Sequence, residues 1–311
     1  MKLKKILKHS SSVLVLILLG WYIYKNRELY QSIPQLSYHH LLSIAILEIL
    51  LTTTSAIVNW KIISSIDPRV TYKVSWYLQS ANNLFNRFIP KAGAGYRGIY
   101  LKKVYDFPYS KFISTVAGLY IISFLTYSIV GVIMVGVIWL QYQVFSAIIL
   151  IGFLTIITGC VYLIINESTI KAPKNRIFRI INTVLQGWHK IKTNKRFLIQ
   201  VSLLTCLIIL LSSLQLQTVY SGINQPIGFI NATYLSVISL FTVFIDITPQ
   251  SIGIKEALFA YSQAIVGLDA SFLIYGSIVL RVVTLIVSAF TGIISHYILL
   301  RTPPNKYDSQ T

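Results

Sequence analysis

The sequence predicts an all-α, polytopic integral membrane protein with seven to eight transmembrane helices in two halves, each half carrying a proline- and glycine-broken or re-entrant segment. Three observations lead there. Hydrophobic residues make up 55% of the 311 positions and mean hydropathy is +0.68, while charged residues are only 12%, against about 25% in an ordinary soluble domain. Several apolar runs approach or exceed the roughly 20 residues a helix needs to cross a hydrocarbon core of about 30 Å. The basic residues are concentrated between these runs, as in the loops of membrane proteins.

The runs are Ser12–Tyr24, His40–Ile63, Phe112–Leu140, Val144–Ile165, Phe197–Tyr220, Gly228–Ile247 and Ala270–Leu300. The first follows Lys2, Lys4, Lys5 and Lys8 and ends in Trp21, Tyr22 and Tyr24 without a small-residue cleavage site. It is expected to be an uncleaved span with a cytoplasmic N-terminus. The segment Lys61–Lys111 then falls on the cytoplasmic side. So does the loop 166–196, which carries eight basic side chains and one acidic one. Within that loop Ile177, Ile180, Ile181, Val184, Trp188 and Ile191 follow helical spacing, with Arg176, Arg179 and Lys190 opposite. This predicts an interfacial helix, which either lies on the headgroups or docks a partner.

From Thr248 two paths are open. The stretch TPQSIGIKEALFAYSQAIVG either crosses, giving eight spans and a cytoplasmic C-terminus, or turns back, giving seven and an external one. The chain reads as a single membrane domain over residues 1–311, with a first half (1–165), the basic loop (166–196), a second half (197–300) and a short tail (301–311).

The stretch IPKAGAGYRG places Gly93, Gly95 and Gly98 in the G-x-G-x-x-G spacing of dinucleotide-binding folds. That motif needs a strand before it, a helix after it and an acidic ribose ligand about 20 residues on. The preceding segment is helical in period, and the nearest acid, Asp106, is too close. A different reading fits. Gln79, Asn82, Asn83, Asn86 and Arg87 share one side of an amphipathic half-helix, Ser75–Phe88, which must end at Pro90 because the ring cannot continue the hydrogen-bond ladder. Gly93 and Gly95 then let the backbone turn and approach its neighbours. Broken helices are tolerated at membrane depth only where they pack in protein or line a wet cavity, so the segment is expected to form an elbow beside a polar cavity. DITPQSIGIKEAL, with Pro249 and Gly253, is its counterpart in the second half. Paired interruptions of this kind are the sequence pointer to a transport site.

Ionisable residues inside spans cost about 2.5–3.5 kcal/mol on insertion scales and are expected to face the bundle interior. Glu48, Asp246, Glu256 and Arg281 stand out. Arg281 has no local acid, so it requires a carboxylate from another helix, with Glu256 the first choice. Such a pair either pins two helices or takes a direct part in substrate handling.

The stretches NRFIPKAGAGYRGIYLKK and YSKFIS, with TPQSIGIKEALFAYSQAIVGL and the later Arg281, resemble the two signature regions of the flippase-like transmembrane domain of lysylphosphatidylglycerol synthase proteins, which also occurs as stand-alone membrane proteins. The resemblance covers nearly the whole chain, and Pro249, Gly253 and Glu256 are its more specific part. Many relatives have a glycine-glutamate pair ahead of the arginine in the first motif; here Gly95 is followed by Tyr96. The resemblance implies a lipid translocase for an anionic phospholipid or a polyprenyl-linked saccharide in envelope biogenesis, in the cytoplasmic membrane. The soluble aminoacyl-transfer domain of full-length relatives is not expected, and neither is lysyltransferase activity.

In that role Arg87, Lys91 and Arg97 would attract the headgroup phosphate, Asn82 and Asn86 would hydrate or bind it, and Glu256 with Arg281 would line or gate the path. Pro90, Gly93, Gly95, Pro249 and Gly253 would shape the elbows. The alternative is a non-catalytic membrane partner of envelope glycosyltransferases. The net charge of +18 points to anionic lipid headgroups as partners, not to nucleic acid. No Walker, H-E-x-x-H or G-x-S-x-G motif occurs in the sequence, and Cys160 and Cys206 sit within apolar runs. No nucleotide, cofactor or metal is therefore expected, and no catalytic residue is assigned.

Overall fold

The computed structural model describes residue 24 and residues 36–165, 194–242 and 251–301, which are helical with short connections and contain no strand. The expected first span, Ser12–Tyr24, apart from Tyr24, and the interfacial helix of the basic loop, Asp246, Pro249 and the tail beyond Arg301 lie outside the described residues. Five helices are long and apolar enough to cross a membrane: α1 (Tyr38–Ser64), α4 (Tyr109–Tyr142), α5 (Ala147–Ile165), α6 (Lys195–Gly222) and α10 (Ala270–Arg301). Their outer faces carry exposed Leu140, Ile148, Leu203 and Phe290, an apolar surface that lipid tails and not water would cover. The chain is a multi-pass helical membrane protein.

Polar contacts fix the directions of the long helices. Lys61 Nζ donates to Gln200 Oε1 at 3.0 Å near one end of α1 and α6. Gln215 Nε2 donates to the Ile44 carbonyl at 3.3 Å near the middle. A Cβ on Gly222 would lie 3.1 Å from Leu36 and His40 at the other end. The two helices are thus antiparallel. The α4–α5 pair is antiparallel as well, with the Phe153 ring seated against Gly131, where a Cβ would come within 2.5 Å of it.

Two shorter helical hairpins enter this bundle from opposite ends. The first consists of α2 (Tyr72–Phe88) and α3 (Ala92–Tyr105). The Thr71 side chain caps the start of α2 by accepting from Val74 N. The mouth is tied by Arg69, whose Nη2 donates both to Asp67 and to the Tyr105 carbonyl, at 2.7 and 2.8 Å. The Arg69 guanidinium, hydrogen-bonded to Asp67, holds that carboxyl below its ordinary pKa. At the tip, Ile89 turns extended and Lys91 takes the left-handed conformation, φ 63°. The proline between them cannot supply the N–H that would continue α2. The arms then pack so closely that a Cβ on Gly93 would lie 2.2 Å from the Asn82 carbonyl oxygen, a separation no side chain permits. Of the two glycines expected to shape this elbow, only Gly93 approaches the other arm; a Cβ on Gly95 would meet nothing within 4 Å.

The second hairpin consists of α7 (Phe229–Thr242) followed by α8 (Ile254–Tyr261) and α9 (Gln263–Val266). Three bonds show the return. Ser251 Oγ donates to the Thr242 carbonyl at 2.7 Å, Ser262 Oγ lies 3.5 Å from the Tyr234 hydroxyl, and Asn231 Nδ2 donates to the Val266 carbonyl at 3.2 Å. The described part of the segment anticipated as a full span, Phe229–Thr242 of Gly228–Ile247, is therefore the inward arm of a re-entrant pair, and Ile254–Val266 is its outward arm. Residues Asn231–Ile238 are buried on every side, so their apolar character reflects protein packing, not lipid contact. As a consequence α10 starts at the end where α6 finishes, with Tyr220 Oη donating to the Leu273 carbonyl at 2.8 Å, and Arg301 lies at the end where α6 begins. Arg301, the last described residue, thus lies at the same end of the bundle as Lys61 and Lys195.

One end of the bundle is basic, with Arg69, Lys73, Lys102, Lys103, Lys111, Lys195, Arg196 and Arg301. The opposite end carries Asp269 as its only Asp, Glu, Lys or Arg among the described residues.

Candidate functional site

The two hairpins meet at a cavity of about 490 Å³ at mid-depth, bounded by α1, α4, α6 and α10. One wall is apolar, with Leu119, Leu216 and Leu240; the other is built by the polar face of α2 and the tips. The carboxamides the helical wheel put on one side of α2 do all reach this cavity, as do Arg87, Lys91, Arg97 and Arg281. The first hairpin brings Arg87, Lys91 and Arg97; the second brings Lys255, which the expected set omitted.

The cations fall into two kinds. Arg87 is committed: it donates to Glu48 Oε1 at 3.1 Å, to Thr284 Oγ1 at 2.9 Å and to Ser288 Oγ at 3.2 Å. Gln215 Nε2 approaches the other Glu48 oxygen at 3.3 Å. Arg281 is committed likewise, 2.5 Å from Glu256 Oε1. Glu256 stands behind the cavity wall, 2% exposed, and its oxygens also accept from Ser277 Oγ at 3.0 Å and from Gly253 N at 2.7 Å. That last bond caps α8. Gly253 itself sits at φ 85°, a conformation glycine adopts without strain. The anticipated Glu256–Arg281 pair is thus formed, and it fixes the start of α8 against α10.

Arg97 differs. It is 7% exposed, and its Nη1 donates to Asn59 Oδ1 at 2.6 Å and more distantly to Gln79 Oε1 at 3.4 Å. Its guanidinium lies 5.5 Å from the centre of the Phe112 ring, and its Nε has no hydrogen-bond partner. The partners are neutral and already engaged in a ladder, in which Asn59 donates to Gln79 at 2.9 Å, Gln79 to Asn83 at 2.8 Å, and Asn83 to Thr52 at 3.0 Å. Lys255 contacts the Phe259 face at 5.2 Å and has no ion pair among the described residues. Lys91 is exposed at the tip.

The asparagines divide in a way the wheel could not show. Asn86 Oδ1 accepts from Gly93 N at 2.8 Å, so its oxygen stabilises the elbow. Asn82 lines the cavity beside the same glycine. Five cations therefore line or rim the space, against the carboxylates of Glu48 and Glu256. An excess of buried positive charge suits an anion. Among the described residues no group of His, Cys, Asp and Glu could hold a metal.

These features define a multi-pass helical membrane protein with a cationic cavity between two opposed re-entrant hairpins. The chain belongs to the lysylphosphatidylglycerol synthase TM region family, whose model matches residues 11–292. No curated protein and no solved structure matches it.

Proposed function

We propose that the cavity receives the anionic headgroup of a membrane lipid, a phospholipid or a polyprenyl-linked saccharide intermediate, and that the protein moves this lipid across the bilayer as a carrier, not as an enzyme. The observation that supports this best is the surplus of cations over carboxylates around a mid-depth cavity, since intramembrane charge is costly and is retained where a pathway uses it. The apolar wall lets acyl or prenyl chains stay in hydrocarbon while the headgroup passes between the hairpin tips. Paired interrupted segments in the two halves suit alternate opening toward the two ends. By the positive-inside rule the basic end is read as cytoplasmic, and so is the N-terminus with Lys2, Lys4, Lys5 and Lys8; the cytoplasmic membrane of the cell envelope is the matching location.

The test is reconstitution in vesicles with fluorescent phosphatidylglycerol or phosphatidylcholine, scoring transbilayer movement with an impermeant quencher. Faster movement of the anionic lipid than in protein-free vesicles supports the reading. An inert protein that co-purifies with an envelope glycosyltransferase replaces it with a scaffold role.

A further inference from the structure

Most charges around the cavity are balanced within the protein. Arg87 faces Glu48, Arg281 faces Glu256, and Lys255 stands beside Glu256 in the chain. Arg97 has no such balance. Its printed donors reach only the neutral Asn59 and Gln79, its guanidinium lies over the Phe112 ring, and it makes no ion pair among the described residues. Yet it is buried and lines the cavity. A buried cation held only by neutral partners is costly, and intramembrane charge is kept where a pathway uses it.

The depth of Arg97 adds a side. Its partner Asn59 lies about 8 Å along α1 from Ser64 and about 16 Å from the level of Glu48, at a rise of about 1.5 Å per residue. Ser64 is at the basic end of the bundle. At about 40 Å, α1 outreaches a hydrocarbon core of about 30 Å by about 5 Å at each end, so Arg97 sits just inside the headgroup region of that leaflet. Toward the other end, Leu216, Tyr220 and Leu273 are fully buried, and a Cβ on Gly276 would come within 2.5 Å of the Tyr220 ring. We infer that Arg97 is a phosphate site for a singly charged group, a lipid phosphodiester, exchanged with the leaflet at the basic end. The inference rests on reading the cavity as a headgroup site and adds the residue, the ligand's charge and the leaflet.

The surroundings of Arg97 set that charge. Asn59 and Gln79 turn their oxygens to the guanidinium and their amide N–H groups to the Ser55 carbonyl, to Gln79 and to Asn83. They hold Arg97 in place and offer a ligand no further charge. The Arg97 Nε–H is buried without an acceptor. After a small rotation of the side chain a phosphate oxygen can take it, in the forked geometry that guanidinium offers phosphates. A phosphodiester meets this site with one charge, whereas a phosphomonoester brings a second that finds no counterpart at this depth.

The experiment uses the full chain with Cys160 and Cys206 replaced and Ser55→Cys introduced on the cavity wall, one helical turn from Asn59. In detergent, its reaction with a bulky thiol reagent is followed against phosphatidylglycerol, phosphatidylcholine and phosphatidic acid with the same acyl chains, and against glycerophosphoglycerol, the chain-free headgroup. Mildly alkaline pH gives the phosphomonoester both its charges. Phosphatidylglycerol is expected to protect at about one tenth of the concentration phosphatidylcholine needs, with phosphatidic acid within about twofold of it, and glycerophosphoglycerol far more weakly. Arg97→Gln should bring phosphatidylglycerol to the level of phosphatidylcholine, and Arg97→Lys, which keeps the charge, should retain most of the preference. In sealed vesicles Ser55→Cys should react from the side that labels Lys103→Cys. A preference that survives Arg97→Gln, or phosphatidic acid protecting far better than phosphatidylglycerol, overturns the assignment and leaves the headgroup reading in place. Equal protection by phosphatidylglycerol and phosphatidylcholine without any change at Arg97 removes both. Glycerophosphoglycerol protecting as well as the lipid overturns the lipid source, and labelling only from the side of Ser37→Cys overturns the leaflet. The lipid order and the side of labelling need no change at Arg97, so they decide even if Arg97→Gln does not fold.

Discussion

Arg87 Nη2 lies 3.1 Å from Glu48 Oε1, joining the tip of the first hairpin to the middle of α1 while the same guanidinium reaches Thr284 and Ser288 on α10. Three elements far apart in sequence thus converge on one side chain. Removing the carboxylate strands a largely buried cation, whereas removing both charges does not. Glu48→Gln is expected to destabilise by about 3 kcal/mol, and Glu48→Gln with Arg87→Gln by clearly less than the sum of the single changes. Thermal unfolding of the four proteins in detergent gives the coupling; additive effects would refute the structural role.

The Glu256–Arg281 pair behaves differently under exchange of its charges. Glu256 also accepts from Gly253 N and Ser277, bonds an arginine at the same position cannot accept. The double exchange Glu256→Arg with Arg281→Glu is therefore expected to stay poorly folded, although it preserves the charge pair. Recovery of wild-type yield and monodispersity by that variant would show that charge alone matters here.

The elbow can be tested with one methyl group. Gly93→Ala places a Cβ against the Asn82 carbonyl and should cost about 1–3 kcal/mol or more through overpacking. Gly95→Ala enters open space and should stay within about 0.5 kcal/mol of the parent. Equal melting temperatures for the two variants would contradict the close packing of α2 on α3.

The second hairpin makes a topological prediction. Cysteines at Ser37, Asn224 and Asp269 should react with an impermeant reagent from one side of sealed vesicles, and those at Lys103 and Asn194 from the other. A full crossing by Gly228–Ile247 followed by a stretch that turns back, the seven-span path, would instead put Asp269 on the side opposite Asn224.

Much of this architecture was legible in the sequence, because Pro90 must stop a helix and long apolar runs must find lipid or protein. The helical period correctly gathered Gln79, Asn82, Asn83, Asn86 and Arg87. The fate of Gly228–Ile247 was not legible: hydropathy is the same whether a helix faces lipid or is enclosed, and α7 is enclosed. Glu48 and Arg87 are 39 positions apart, and nothing local announces their pairing, although Glu48 was conspicuous as a charge in an apolar span and Arg87 stood on the polar face of the half-helix. Lys255 carried that same signal and was overshadowed by the adjacent Glu256. Gly95 shared the motif with Gly93, but only the arm-to-arm packing distinguishes them.

The most direct test of the central claim is to plug the cavity. Ser212 and Ser123 line it from α6 and α4. In a chain with Cys160 and Cys206 replaced, Ser212→Cys would be reconstituted, and movement of a fluorescent anionic lipid measured before and after reaction with a bulky thiol reagent. The account predicts movement before labelling and its loss afterward, with the cysteine-free parent unaffected by the reagent. Undiminished movement through a fully labelled protein would contradict passage of the headgroup between the hairpin tips.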